Sequence, residues 1–310
     1  MTDEEEPKPL IKAKDHKYPG YEQESNKEWK ENFYFIQAAD TQFGLIDDWA
    51  NVPVEKQTWD EDIRLTELAI KHANTLNPKP KFFIVCGDMI NAGPGQIYRG
   101  EQENDFKRIF EQLDSDIPLV CVCGNHDIGN SPTVETVATY RNMFGDDYFS
   151  FWIDGVLFLA LNSQYYEDHS QVEDEYTQQE LWLDQQLELV KLKQCQHCVV
   201  FQHIPWFLKD ANEEKDYFNI EINTRLRMLN KLRDAGVRHI FCGHYHRNAG
   251  GFYGDLELVV TSAVGCQIGK DVSGMRIVKI TKDKIEHKYY GVEDENFPKT
   301  IELDGDCKLP

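Results

Sequence analysis

Asp40, Gln42, Asp88, Asn125, His203, His244 and His246 make two carboxylates, two amides and three imidazoles. They stand just past the ends of apolar runs. FYFIQAAD closes on Asp40, KFFIVCGD on Asp88, CVVFQH on His203, and RHIFCGHYH on His244 and His246, while PLVCVC leads into Gly124, Asn125, His126 and Asp127. Apolar runs of this length that open into polar loops read as buried strands. If the strands lie roughly parallel, these groups converge on one edge, where open α/β sheets bind ligands. Oxygen and nitrogen donors without thiolate suit Mn, Fe, Zn or Mg. Seven donors exceed one transition metal and fit two ions about 3.5 to 4 Å apart that share a carboxylate. Such a pair would hold a bridging hydroxide, clamp phosphoryl oxygens and assist in-line displacement at phosphorus. Singly, each residue has an ordinary reading: Asp40 as a cap, Asp88 in a turn, His203 as a core imidazole, Asn125 as a loop former. Their joint occurrence at five strand ends points to chemistry.

The elements that must position them follow from pattern. Residues 1–30 are charged and poor in apolar periodicity and read as a loosely held arm, leaving 31–310 as a single domain. A strand to Asp40 precedes a helical pattern with Ile63, Leu65, Leu68, Ala69 and Ile70, ended by Asn77-Pro78. The strand carrying Asp88 precedes a second helix, Glu103 to Leu113. This alternation indicates right-handed parallel units. Ser131-Pro132 signals another helix start, and two apolar runs around Asp154-Gly155 signal a hairpin. Gln178 to Lys193 reads as helical, with Leu181, Leu183, Leu187 and Val190 along one side, and Thr224 to Ala235 as a helix stopped by Gly236. Acidic stretches 164–176 and 210–219 read as surface loops near the active edge, and MRIVKI-TKDK-IEHKYY as a final hairpin.

Composition narrows the partners. The net charge of −21, from 54 acidic and 33 basic side chains, argues against nucleic acid and anionic membranes. It would repel a phosphorylated substrate as well, unless bound cations reverse the sign locally. No 18-residue apolar run reads as a membrane span, and the N-terminus lacks an apolar signal core. The expected setting is the cytoplasm. The eight cysteines fall mostly inside apolar runs, as small reduced core residues do. Cys195 and Cys198 have zinc-pair spacing but no second pair nearby.

Asp40-x-Gln42, Gly87-Asp88, Gly124-Asn125-His126-Asp127, His203 and Gly243-His244-x-His246 together resemble, in order, the motif set of the calcineurin-like metallophosphoesterases. The resemblance spans residues 33–265. It implies a four-layer α/β/β/α sandwich of two mixed β-sheets flanked by helices. It implies one ion on Asp40, Gln42, Asp88 and His246, and a second on Asp88, Asn125, His203 and His244, with Asp88 shared. It places His126 as the catalytic acid that assists the leaving oxygen and, with Asn125, contacts phosphate. Arg247, beside the last ligand, is a further candidate phosphate contact. The implied activity is a phosphomonoesterase, a serine/threonine protein phosphatase, and the phosphorylated protein substrate that the resemblance names is the kinase Akt.

Two departures from the family pattern matter. Most of the superfamily has histidine where Gln42 stands, and an amide oxygen is a harder and weaker ligand. Many of its protein phosphatases carry aspartate and arginine where Asn91 and Ala92 stand here. The carboxylate that would orient the catalytic imidazole is therefore missing or supplied elsewhere. Alternative readings are a phosphodiesterase on nucleotides or lipids, or a metal-poor binding scaffold that kept the fold.

Overall fold

The computed structural model describes residues 10–304 and 308–310. Among these residues the strands are β1 (Phe33–Ala38), β2 (Phe83–Cys86), β3 (Leu119–Val122), β4 (Phe149–Ile153), β5 (Val156–Ala160), β6 (His197–Phe201), β7 (His239–Cys242), β8 (Ala249–Tyr253), β9 (Leu256–Val260), β10 (Gly274–Ile280) and β11 (Ile285–Gly291). They form two mixed sheets, ordered β11-β10-β1-β2-β3 and β4-β5-β6-β7-β9-β8. Within the first, β1, β2 and β3 run parallel and the β10–β11 hairpin adds antiparallel to β1. Within the second, β5, β6, β7 and β9 run parallel between antiparallel edges β4 and β8.

Three apolar cores separate four layers. Between the sheets, Phe35, Phe82, Phe151, Phe158, Phe201 and Phe241 pack with Val120, Val199 and Val278. Phe35 stacks on Phe82 at 4.6 Å and meets Phe158 edge-on at 5.7 Å. Each such buried ring contributes about 1.5–3 kcal/mol. Outside the first sheet, helices Asp60–Thr75, Arg99–Phe110 and Val134–Phe144 supply Leu65, Ala69, Phe106, Ile109 and Tyr140. Outside the second, helices Glu173–Lys191 and Ile222–Ala235 supply Leu183, Leu187, Met228 and Leu232. Both faces of the parallel strands are covered, which is why β1, β2, β3 and β5 are apolar nearly throughout. The α/β/β/α sandwich is the architecture expected from the sequence.

Several local expectations need correction. The N-terminal segment is tied down from residue 13 onward, residues 1–9 of the expected arm lying outside the described ones. Ser150 N donates to the His16 carbonyl and Trp152 N to the Tyr21 carbonyl, so the segment lies along β4. Tyr18 is buried and donates its hydroxyl to the Leu119 carbonyl. Two tyrosines thus anchor a stretch whose charge reads as solvated. The acidic stretch 164–176 is not one loop: Gln164–Glu167 is a helical turn with Tyr165 and Tyr166 buried, and the next helix begins at Glu173. Its acidic first turn, Glu173, Asp174 and Glu175, complements the helix dipole. Leu181 faces solvent, because a 181–183 step cannot share a helical face. The helix after Ser131-Pro132 is capped by Thr133, whose hydroxyl accepts from Thr136 N. The helix expected from Glu103 starts at Arg99. The Asp154-Gly155 turn forms as expected, with both residues at positive φ.

Candidate metal centre

The two sheets present their parallel strands' C-terminal ends to one place. Asp40 lies two residues past β1, Asp88 two past β2, His203 two past β6 and His244 two past β7, while Asn125 follows β3 by three. The loops are laced together by main-chain bonds: Asp40 N donates to the Gly87 carbonyl, Gln42 N to that of Asp88, and Gly243 N to that of His203. Asp40, Gln42, Asp88, Asn125, His203, His244 and His246 are all buried. The donors thus come from both sheets rather than from one sheet edge.

Five of the seven have left-handed backbones: Asp40 (φ 52), Gln42 (φ 37), Asp88 (φ 51), His244 (φ 70) and His246 (φ 52). Each such residue costs of order 1–3 kcal/mol and persists only where its surroundings over-determine it. Two glycines permit the crowding. A Cβ on Gly87 (φ +89) would lie 2.2 Å from the His203 ring, and one on Gly124 would lie 2.3 Å from an Asp88 oxygen.

The donor atoms face one another. His203 Nε2 is 3.1 Å from Asp88 Oδ2 and 3.0 Å from Asn125 Oδ1. His246 Nε2 is 3.3 Å from Asp40 Oδ1. Donor groups on Asp88, His203 and His244 lie within 4.8 Å of one another, an arrangement that could hold a metal ion. Ligands bonded to one first-row ion at about 2.1 Å sit roughly 3.0–3.4 Å apart, so these separations fit.

Every imidazole is oriented by a main-chain carbonyl. His203 Nδ1 donates to Cys86, His246 Nδ1 to Cys266, His244 Nε2 to Tyr217 and His126 Nδ1 to Asn91. A carbonyl only accepts, so in the neutral imidazole the opposite ring nitrogen turns its lone pair toward the pocket, the arrangement metal-binding histidines use. Gln42 donates through Nε2 to Asn91 Oδ1 at 3.4 Å, while its buried Oε1 has no hydrogen-bond partner. That unpaired oxygen fits a metal ligand.

Electrostatics are those of a tight cluster. Burial raises the Asp88 carboxyl, but His203 and His126 outweigh it and hold the group well below the usual range. Burial disfavours the His203 cation, but Asp88 outweighs burial and lifts the imidazole to about 9. Burial, helped by His203, drops His244 to about 3. His246 is raised, Asp40 outweighing burial. Burial and the neighbouring Asp88 push Asp127 up to about 7.

His126 is half-buried at the rim, its amide donating to Asp88 Oδ1 at 2.8 Å. Arg247 lies over the Phe218 ring, which is itself 5.6 Å from the His244 ring. Its guanidinium lies 4.7 Å over the Tyr245 ring and donates to the Tyr245 carbonyl.

The sequence model of the calcineurin-like phosphoesterase family matches residues 33–248. The chain belongs to that family. Within this calcineurin-like phosphoesterase group it is 51% identical over 285 residues to mouse serine/threonine-protein phosphatase CPPED1, covering 91% of each chain. The human protein of the same name is 52% identical over 284 residues, covering 91% of this chain and 90% of that one. The fold is shared with a dimetal phosphatase from Danio rerio (TM-score 0.60, 15% identity, 85% of this chain and 97% of that one). It is also shared with a purple acid phosphatase from yellow lupin seeds (TM-score 0.62, 12% identity, 87% and 53%).

Calcineurin-like phosphoesterase motifs draw attention to side chains; Asp127 is named in the sequence without a role, and Arg99 and Tyr217 are not singled out there at all. Asp127 accepts from the amides of Gly124, Asp88 and Met89, binding the Asp88 and Asn125 loops together. Its place in GNHD was the signal. Arg99 donates to the carbonyls of Ala92, His126 and Asp127, and a lone arginine eleven residues past Asp88 carries no such signal. Tyr217, inside a stretch read as an acidic loop, touches both Asn125 and His244.

Proposed function

We propose that this chain is a two-metal phosphomonoesterase acting on phosphoserine and phosphothreonine in proteins. One observation carries the reading: carboxylate, amide and imidazole donors from both sheets meet at 3.0–3.3 Å, with each imidazole's outer nitrogen fixed on a carbonyl. The relatedness to proteins named serine/threonine-protein phosphatase supports the substrate class. Asp40, Gln42, Asp88 and His246 would hold one divalent ion; Asp88, Asn125, His203 and His244 the other, with Asp88 between them. The donor set suits Mn, Fe, Zn or Mg. When bound, the ions supply Lewis-acid charge and a water of lowered pKa, and neutralise phosphoryl oxygens.

The chain's own residues do the rest. His126, present as the imidazolium, would give its Nε2 proton to the leaving serine or threonine oxygen and be left neutral. Its orientation comes from the Asn91 carbonyl and from its amide on Asp88. Asn125 and His126 line the place of the phosphoryl group, and Arg247, stacked on Tyr245, approaches from the rim. Among the described residues no helix is long and apolar enough to cross a membrane; we place the activity in the cytoplasm, to be checked by cell fractionation.

The test is hydrolysis by Mn-loaded protein of a phosphoserine peptide and of a phosphorylated Akt-type kinase, beside a bis-ester of p-nitrophenol. Release of phosphate from the monoesters, with the diester turned over far more slowly, is the expected result. Preference for the diester would replace this reading with a phosphodiesterase, and absence of both activities and of bound metal would leave a binding scaffold.

A further inference from the structure

Tyr217 sits on a segment that is fastened at several points. Lys215 Nζ lies 2.8 Å from both carboxylate oxygens of Glu167 and also donates to the Asn219 carbonyl. Buried Arg225 donates to the carbonyls of Ala211 and Glu213. The Glu213 carboxylate accepts the amides of Leu208, Lys209 and Asp210. A segment pinned in this way presents its side chains in fixed directions.

From it Tyr217 reaches the centre twice. Its carbonyl accepts His244 Nε2 at 3.1 Å, which leaves His244 Nδ1 as the inward donor. Its hydroxyl accepts from Asn125 Nδ2 at 3.2 Å. That bond commits the amide nitrogen outward and turns Asn125 Oδ1 toward His203 Nε2 at 3.0 Å. An asparagine amide has no intrinsic preference between its two ends, so a partner on one end decides which faces the pocket. The Tyr217 ring lies 5.1 Å from the His244 ring and is 55% exposed, so burial of apolar surface does not account for its position.

We propose that Tyr217 is the positioning residue for one ion of the pair, the ion facing Asp88, Asn125, His203 and His244, and that it sets that ion's affinity without touching the other's. The Asp40–His246 side of the centre has its own orienting carbonyl, that of Cys266, on the far side of the pair from the Tyr217 bonds. Outer partners of metal ligands typically change affinity by 10–100-fold when removed. The assignment rests on the two-metal reading above.

The experiment titrates metal-depleted wild type and Tyr217→Phe with Mn²⁺, reading stoichiometry by elemental analysis and affinity by calorimetry. Wild type is expected to take two ions. Tyr217→Phe is expected to keep one at unchanged affinity and bind the other about 10-fold more weakly, with the melting temperature of the metal-free form unchanged. In an Asn125→Ala background the same substitution should have no further effect, since the amide it orients is gone. Two ions at wild-type affinity in Tyr217→Phe would overturn the Tyr217 assignment and leave the two-metal reading standing. A metal-free melting temperature that falls as far as the metal-loaded one would also overturn it, by showing a purely structural role. Wild type that takes up no ion would overturn both readings.

Discussion

His126 Nδ1 donates to the main-chain carbonyl of Asn91, the residue at which the family pattern leads one to expect a carboxylate side chain. The orienting group is therefore backbone, and the Asn91 side chain is free for other work, accepting from Gln42 Nε2. His126→Ala should leave metal content near normal and lower turnover by about 10²–10⁴-fold, the worth of a positioned general acid. Asn91→Ala should cost less than about tenfold, because the carbonyl stays. Steady-state kinetics with elemental analysis on both variants checks this; equal losses would assign the orientation to the Asn91 side chain instead.

Asp88 faces His203 through Oδ2 and anchors the His126 amide through Oδ1. Asp88→Asn keeps the shape and removes the charge. Its expected effect exceeds the roughly 10²–10³-fold of a single lost transition-state donor, together with a lower ion count per chain. Retention of two ions with near-normal turnover would remove Asp88 from the role of shared ligand.

Gln42 leaves Oε1 buried and unpartnered. Gln42→Ala should weaken one ion and spare the other, and Gln42→His should tighten the weakened site, because imidazole suits Mn, Fe and Zn at least as well as an amide. Histidine also tolerates the left-handed backbone at this position better than most residues. Calorimetric titration separates the two classes of site.

Asp62 is buried and accepts the Gly44 amide at 3.1 Å, just beyond Gln42. Burial pushes its carboxyl up from 3.8 to about 8. Between these values the folded chain keeps the proton and the unfolded chain releases it, so Asp62's stability contribution is full below pH 4 and drains away as pH rises to 8. Asp62→Asn cannot ionise and should flatten this part of the profile. Urea melts at pH 4, 6 and 8 would show the difference, and parallel profiles for the two proteins would contradict it.

Strand ends were legible because both faces of the parallel sheets are covered, so β1, β2, β3, β6 and β7 are written as nearly unbroken apolar runs that stop just before Asp40, Asp88, Asn125, His203 and His244. What the pattern could not carry was backbone chemistry. The carbonyls of Cys86, Asn91, Tyr217 and Cys266 orient four imidazoles, and a carbonyl is the same whatever residue bears it. Nor does periodicity separate an acidic loop from an acidic helix start: Glu173 to Glu175 look solvated in either setting. Edge strand β8 was missed because AGGFY lacks strand propensity, and its glycines serve close contact, as where a Cβ on Gly250 would strike the Leu258 carbonyl.

The stretch from His16 to Asn26 shares backbone bonds with β4 and with the turn after it, where Gly155 N donates to the Asn26 carbonyl. A chain trimmed to begin near Phe33 would strip that flank bare. Unpaired amides and carbonyls along a flat margin recruit whatever backbone comes by, most readily a sister molecule. Such a shortened protein should keep its catalytic pocket yet run as dimers and larger assemblies on gel filtration, and that outcome would make the His16–Asn26 stretch a guard against self-association.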